Sequence, residues 1–328
     1  MADESCILGV DIGGTKVAAG LVDASGEILY QTRVPMVGQQ DAIAGLQSVE
    51  AAIHAVFAAR PEETAAGRLG GIGVCSPGPL DPESGVVINP PNLPCWRDYP
   101  LGAQLHRIFG VPIRVDNDAN AAGLAEAIWG EGRGFRQVFY ATIGTGIGTG
   151  IVFDRHIYHG RTGSAAEGGH VTIDYHGPVC GCGKRGCIEA LCSGPAIANR
   201  ARQRLAEPRA SKSKMLELAG DDPAQVTAEI VGEAFRKNDA LAAEVLLETS
   251  DLLAIWLGNV IDLIEPEVII FGGGVAPLMS AFLGHIRAQL PRWSINQRCG
   301  EIPLLPAHYA ADAGIAGAAA LCREVAAG

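Results

Sequence analysis

Aromatic side chains are scarce in this chain, at 5% of residues, and charged ones are few, at 19%. Positive charge is the rarer sign: 25 Lys and Arg against 36 Asp and Glu leave a net charge of −11. A sequence-independent grip on nucleic acid needs clustered Lys and Arg, so that class of partner is not expected. A small anionic ligand stays open, because a few backbone amides hold a phosphate locally. No apolar run reads as a membrane span, so no membrane partner is expected either. The lead Met1 to Ser5 is acidic and short, and the apolar run after it enters a glycine turn, unlike a secretory segment. A reducing, cytoplasmic compartment is therefore expected. Apolar residues, in contrast, reach 48% and glycines number 43 over 328 residues. That length favours two lobes, and that composition favours an α/β protein with tight strand-to-helix turns.

Residues 6–10, 17–22 and 27–33 read as three strands in a meander, with Asp23-Ala-Ser-Gly26 as a turn. Apolar residues at Ile43, Leu46, Val49, Ile53, Val56 and Phe57 step by three and four, which predicts a helix over 41–60. Strands are predicted at 69–74 and 111–115, a loop at 85–100, and a helix at 119–129. Two more strands, 137–143 and 148–153, flank a second glycine turn, a hint of internal duplication. Residues 188–265 read as mostly helical, 268–271 as a strand, and 311–325 as an Ala-rich helix. Linkers are expected around 85–100 and 206–225.

Three glycine turns stand at strand ends. Asp11-Ile-Gly13-Gly14-Thr15-Lys16 offers backbone N–H groups, a hydroxyl, a cation and a carboxylate able to hold the water shell of Mg²⁺. An ordinary hairpin turn is the bland alternative. Gly144-Thr145-Gly146 lies in a second turn, whose spacing is not the dinucleotide fingerprint. Gly272-Gly273-Gly274 follows a strand and precedes a helix, as a nucleotide cradle would. Glycine costs entropy wherever it is not needed, so three such turns point to a ligand.

Asp116-Asn-Asp-Ala-Asn120 lies where a strand meets a helix. Asp118 is either a helix N-cap or a carboxylate that accepts a proton from an attacking hydroxyl. His170 precedes Cys180-Gly-Cys182-Gly-Lys-Arg-Gly-Cys187, three of the nine cysteines. These four side chains can chelate a tetrahedral zinc, and four protein ligands make such a site structural. A disulfide or three free thiols are the alternatives. Glu167 and Glu189 flank the cluster and either converge on a polyol or sit as surface charges. Cys6, Cys75, Cys95, Cys192, Cys299 and Cys322 are scattered and are expected to pack in the interior.

The motifs Asp11–Lys16, Val115–Asn120, Ile143–Gly148, Glu167–His170, Cys180–Glu189 and Gly272–Gly274, in this order and spacing, resemble the ROK family (repressor, open reading frame, kinase) from about residue 6 to the C-terminal helix. The resemblance implies an α/β, two-lobed actin-like or hexokinase-type (ribonuclease H-like) ATPase fold with a cleft between lobes. It implies a small lobe of 1–118 plus about 311–328, and a large lobe of 119–310 carrying the zinc motif. It implies ATP and Mg²⁺, with Asp11, Gly13, Gly14, Thr15, Lys16, Gly144, Thr145, Gly146, Gly272, Gly273 and Gly274 around the nucleotide. Asp118 would be the general base. Gly78, Asn92, Asn117, Asp118, Gly146, Glu167, His170 and Glu189 would face a hexose. Structural Zn²⁺ would be held by His170, Cys180, Cys182 and Cys187, with the second ring nitrogen of His170 turned to a sugar hydroxyl. Many relatives carry a branched residue where this chain has Gly168, which should loosen the backbone there.

The expected activity is transfer of the ATP γ-phosphoryl to the 6-hydroxyl of a hexose, first of all glucose, by a homodimer or homotetramer serving glycolysis. An N-acetylmannosamine or N-acetylglucosamine kinase is the alternative. A sugar-sensing regulator is disfavoured, because the phosphate turn starts at Asp11 with no room ahead of it for a helix-turn-helix domain.

Overall fold

The computed structural model describes residues 5–37, 41–207 and 212–323. In chain order the first strands are β1 Cys6–Ile12, β2 Lys16–Val22 and β3 Ile28–Pro35, followed by helix α1 Ala42–Ala59. Then come β4 Leu69–Ser76, β5 Leu80–Asp81, β6 Val86–Val87, α2 Leu101–Phe109, β7 Ile113–Asn117 and α3 Asp118–Ile128. Strands β8 Gln137–Ile143, β9 Ile147–Phe153 and β10 His156–Ile157 follow. After them run α4 Ile188–Cys192, α5 Gly194–Leu205, α6 Lys214–Leu218, α7 Ala228–Arg236 and α8 Ala240–Ile264. The chain closes with β11 Val268–Gly272, α9 Ala276–Met279, α10 Leu283–Gln289, β12 Leu304–Pro306 and α11 Ala313–Leu321.

One sheet has the order β3-β2-β1-β4-β7. Its first three strands are antiparallel, while β4 joins β1 and β7 joins β4 in parallel. The inner strands are buried on both faces, as their unbroken apolar runs require. Helix α1 covers one face with Leu46, Val49, Ile53 and Val56 in the core. Asp41 caps it by accepting from the Ile43 amide at 2.9 Å. By length and composition α1 is apolar enough to cross a membrane, contrary to expectation. Here that apolarity is spent on the sheet. The Ala-rich α11 covers the other face so closely that a methyl group on Gly9 or Gly73 would overlap the carbonyls of Ile315 or Ala318.

A second sheet has the order β10-β9-β8-β11-β12. It repeats the plan of the first: a meander of three strands, then two strands added beyond its first member. The suspected duplication is thus present in topology. Helix α8, capped by Asp239 through the Ala242 amide at 2.8 Å, buries Leu246, Leu253, Trp256 and Leu257 at the heart of the helical region.

The chain divides into two compact units, one within 1–140, 150–166 and 307–328, the other within 141–149 and 167–306. This differs from the expected boundary at 118. Helix α3 stays with the first unit because it packs on α11 without side-chain spacing: a Cβ on Gly317 would stand 2.6 Å from the Ala121 backbone. The expected linker 206–225 contains α6 and a 3₁₀ turn at Pro223–Gln225, its residues 208–211 lying outside the described ones. The expected loop 85–100 holds β6, paired with β5. Helix α2, whose Pro100-Leu101 start carries no side-chain cap, escaped the periodicity reading. So did the short elements β5, β10, β12, α9 and α10. The tail helix is shorter than 311–325, and Val325 lies outside the described residues. The architecture is the two-lobed α/β type of actin-like and hexokinase-type proteins.

Candidate functional site

In the first unit, strand register gathers the chemistry at one end of the sheet. Asp11 pairs with Cys75, and Cys75 with Asp116, on three neighbouring strands. The Cys75 thiol donates to Asp11 Oδ1 at 3.5 Å and to the Gly314 carbonyl at 3.4 Å. Burial pushes the Asp11 carboxyl above its usual range. Burial, then the charges of Asp11 and Asp118, push the Cys75 thiol far up, so it stays protonated and inert. Just beyond Asp11, the Gly13-Gly14 turn closes with the Gly13 amide donating to the Lys16 carbonyl at 2.9 Å. A Cβ on Gly14 would stand 2.7 Å from the Asn92 carbonyl, so Gly14 is needed for the approach of that loop. Thr15 and Lys16 are exposed.

Asn117, not Asp118, caps α3: its Oδ1 accepts from the Ala119 amide at 2.9 Å and the Asn120 amide at 3.3 Å. The capping alternative for Asp118 is thereby corrected. Asp118 is the first helical residue, exposed, with Oδ1 accepting from the Ala119 amide at 2.8 Å. Negative charge at a helix N-terminus is stabilised by about 0.3–1 kcal/mol. The amide nitrogen of Asn117 lies 3.6 Å from where a Cβ on Gly78 would stand. Gly78, Asn117 and Asp118 are therefore neighbours, and Asn92 meets the Gly14 turn.

In the second unit, four ligand atoms of His170, Cys180, Cys182 and Cys187 lie within 4.8 Å of one another. Cys180 Sγ is 3.6 Å from His170 Nδ1, and Cys182 Sγ is 3.7 Å from Cys187 Sγ. Edges of that length belong to a tetrahedron with metal–ligand bonds of about 2.0–2.3 Å. A disulfide needs sulfurs at about 2.05 Å, and all nine cysteines are free thiols. The donor set and its spacing fit zinc. Burial pushes Cys180 up to about 12 and raises Cys187, whereas the Lys184 amide lowers Cys182. Of the other cysteines, Cys75, Cys192 and Cys299 are buried as expected, and Cys6, Cys95 and Cys322 are half-buried.

Glu189 links this cluster to the second glycine turn. Its Oε1 is 3.5 Å from Cys180 Sγ and 3.8 Å from His170 Nδ1, and its Oε2 accepts from the Ile147 amide at 3.0 Å. A Cβ on Gly146 would stand 2.5 Å from that Oε2. Glu167 is exposed at the start of the 3₁₀ turn Gly168–His170. Gly168 is not loose, contrary to expectation: its amide donates to Thr149 Oγ1 at 2.9 Å and its carbonyl accepts from Trp256 Nε1 at 3.1 Å. A Cβ there would stand 2.7 Å from Thr149 Oγ1, so the threonine leaves no room for a side chain at this position.

Glycine turns two and three meet. Gly273, with φ of 84°, lies against the Ile143 carbonyl, which accepts from the Val275 amide at 2.9 Å. The Gly194 amide donates to the Gly144 carbonyl at 2.8 Å. Together they wall a cavity of about 480 Å³, lined by Gly144, Thr145, Gly274 and Val275 and by the N-termini of α5 and α7. A Cβ on Gly144 or Gly274 would meet nothing within 4 Å. Protein packing therefore does not demand glycine at either position, whereas a phosphate chain brought against the backbone does. Arg202 lines the same cavity and its Nε is buried without a hydrogen-bond partner among the described residues. These features fit a nucleotide. Gly194, Pro195, Asn199, Arg202, Thr227 and Glu229 were missed as cavity residues. Their signals, Ser193-Gly-Pro195 and the Thr227 cap, announce helix starts and nothing more.

The chain matches the model described as "ROK family" over residues 7–325. It belongs to the ROK family. Among its ROK relatives, the glucokinase of Thermotoga maritima is 34% identical, with 97% of each chain covered. The N-acetylmannosamine kinase of Shigella boydii is 31% identical, covering 96% of this chain and 98% of that one. The xylose repressor of Bacillus spizizenii is 27% identical, covering 97% of this chain and 77% of that one. Among solved structures, a ROK glucokinase from Streptomyces griseus in complex with glucose and AMPPNP has a TM-score of 0.81 at 32% identity, covering 98% of this chain and 100% of that one.

Proposed function

We propose that this chain is a cytoplasmic glucokinase that moves the γ-phosphoryl of ATP to the 6-hydroxyl of glucose. The observation that carries the chemistry is Asp118: an exposed carboxylate on the first residue of α3, directly after the helix cap Asn117. In the reaction Asp118 takes the proton of the attacking hydroxyl as its oxygen forms the bond to the γ-phosphorus and the bond to the β-phosphate oxygen breaks, leaving ADP. In the first unit, Gly78, Asn92 and Asn117 offer polar groups to sugar hydroxyls. In the second, Glu167, His170 and Glu189 do so, carboxylates being good acceptors for vicinal hydroxyls. The nucleotide is cradled by Gly144, Thr145, Gly146 and Gly272–Gly274, and Asp11, Gly13, Gly14, Thr15 and Lys16 serve its transferred phosphate. Mg²⁺, when bound, neutralises phosphate charge, and Asp11 is its candidate partner.

Zinc on His170, Cys180, Cys182 and Cys187 is structural. Nδ1 is the nitrogen on the cluster side, which leaves Nε2 for a sugar hydroxyl. N-acetylmannosamine is the second candidate substrate, favoured by the similar identity to the Shigella boydii kinase.

The test is a coupled assay with ATP and glucose, mannose, N-acetylglucosamine or N-acetylmannosamine. Highest kcat/KM on glucose is expected, and Asp118→Asn should lower kcat by about 10²–10⁴ while glucose still binds. Normal turnover by that variant removes the base assignment, and preference for an N-acetylated sugar replaces the substrate. Elemental analysis should find about one zinc per chain.

A further inference from the structure

Asp116 is the hub of the turn that carries Asp118. Its side chain is 5% exposed. Oδ1 accepts from the Asn117 amide at 2.6 Å and from Asn120 Nδ2 at 3.1 Å. Oδ2 lies 2.6 Å from His159 Nε2. A carboxylate only accepts, so the imidazole donates through Nε2. His159 follows β10 on a separate loop. Its side chain, 29% exposed, lines a cavity of about 570 Å³. The charged groups around that cavity are Arg114 and Asp116 on β7, Asp81 at the end of β5, Glu83 just after it, and Arg161 on the loop of His159 itself. An imidazole on a cavity wall, with close to a third of its surface exposed, only partly fills core space. Its short contact to a buried carboxylate therefore needs a reason other than packing.

We infer that His159 is a positioning residue for phosphoryl transfer, acting on Asp118 through Asp116. This rests on the reading of Asp118 as the base. Without a donor on Oδ2, the Asp116 carboxylate turns toward the cavity to recover a partner there, since a buried charge left unpaired is costly. That rotation withdraws Oδ1 from the Asn117 amide and from Asn120. The Asn117 peptide and the first turn of α3 shift with it, and the Asp118 carboxylate is carried along. A misplacement of about 1 Å at a reacting group costs up to roughly 10²-fold in rate.

The experiment compares kcat, glucose KM and Tm for His159→Asn, whose amide stops short of Asp116, and His159→Gln, whose amide reaches it. The same His159→Asn change is repeated in Asp116→Asn. His159→Asn should lower kcat about tenfold with KM changed less than about twofold, and His159→Gln should keep kcat within about threefold of the parent. In the Asp116→Asn background, His159→Asn should add less than about twofold. Unchanged kcat in His159→Asn, an equal loss in Asn and Gln variants, or a full independent loss in the Asp116→Asn background would each overturn the inference. If His159→Asn does not fold, His159→Ala supplies the truncation. An inactive Asp118→Asn beside a fully active His159→Asn defeats this inference alone. An active Asp118→Asn defeats the base reading, and this inference with it.

Discussion

The turn from β1 to β2 and the turn from β8 to β9 occupy the same place in two sheets of the same order, and they use glycine for different reasons. In the first, Gly14 is required by another stretch of protein, the Asn92 carbonyl. In the second, Gly146 is required by a side chain, the Glu189 carboxylate, and Gly144 faces open space. The first turn is thus held from outside by a backbone that cannot give way. The second combines a movable neighbour with a position that the fold leaves bare. The same strand order thus places a packed corner at one turn and a wall of a cavity at the other.

Substitutions can break or sharpen this contrast. The largest effect is expected from Gly146→Ala. Its methyl would displace the end of a flexible glutamate, so Tm should move little while kcat falls by roughly 10²-fold through loss of Glu189 placement. A Tm fall without a loss of kcat would erase the distinction. Next comes Gly14→Ala, where the opposing atom is backbone: unfolding in urea should show a loss of about 1–3 kcal/mol. An unchanged midpoint would mean that the Asn92 loop yields, and that the two turns are alike. The smallest change in stability is expected from Gly144→Ala, within about 0.5 kcal/mol, since a methyl there touches nothing. Its KM for ATP should still rise several-fold, to roughly tenfold, if the phosphates approach that backbone. Equal ATP KM in variant and parent would remove Gly144 from the cradle.

Much of the site was legible residue by residue. The four candidate metal ligands could be named because thiolate chemistry imposes close spacing in sequence, and the four donors do converge. The glycine turns could be named because glycine is costly where unused. The role of Gly168 was misread, because its constraint comes from Thr149 and Trp256, which are distant in sequence and meet it only in the folded chain. Capping was the alternative weighed for Asp118 and not for Asn117, which takes that role, since Asn and Asp are equally good caps and only the backbone conformation decides between them. Asp116 heads the motif but no role for it could be read: nothing in Asp-Asn-Asp tells which carboxylate is 5% exposed and which is exposed to solvent.

By itself, then, the sequence determined the family, the α/β class, the three glycine turns, the carboxylate at the head of α3 and the four-ligand cluster. Each of these is written in local patterns, where spacing of a few residues dictates the chemistry. Tertiary structure alone decided which glycines are packed and which are bare, that Arg202 and two helix N-termini share a cavity with Gly144 and Gly274, and that His159 holds Asp116. Those facts depend on contacts between residues far apart in the chain. Side-chain packing specifies such contacts only once the sheets and helices are assembled.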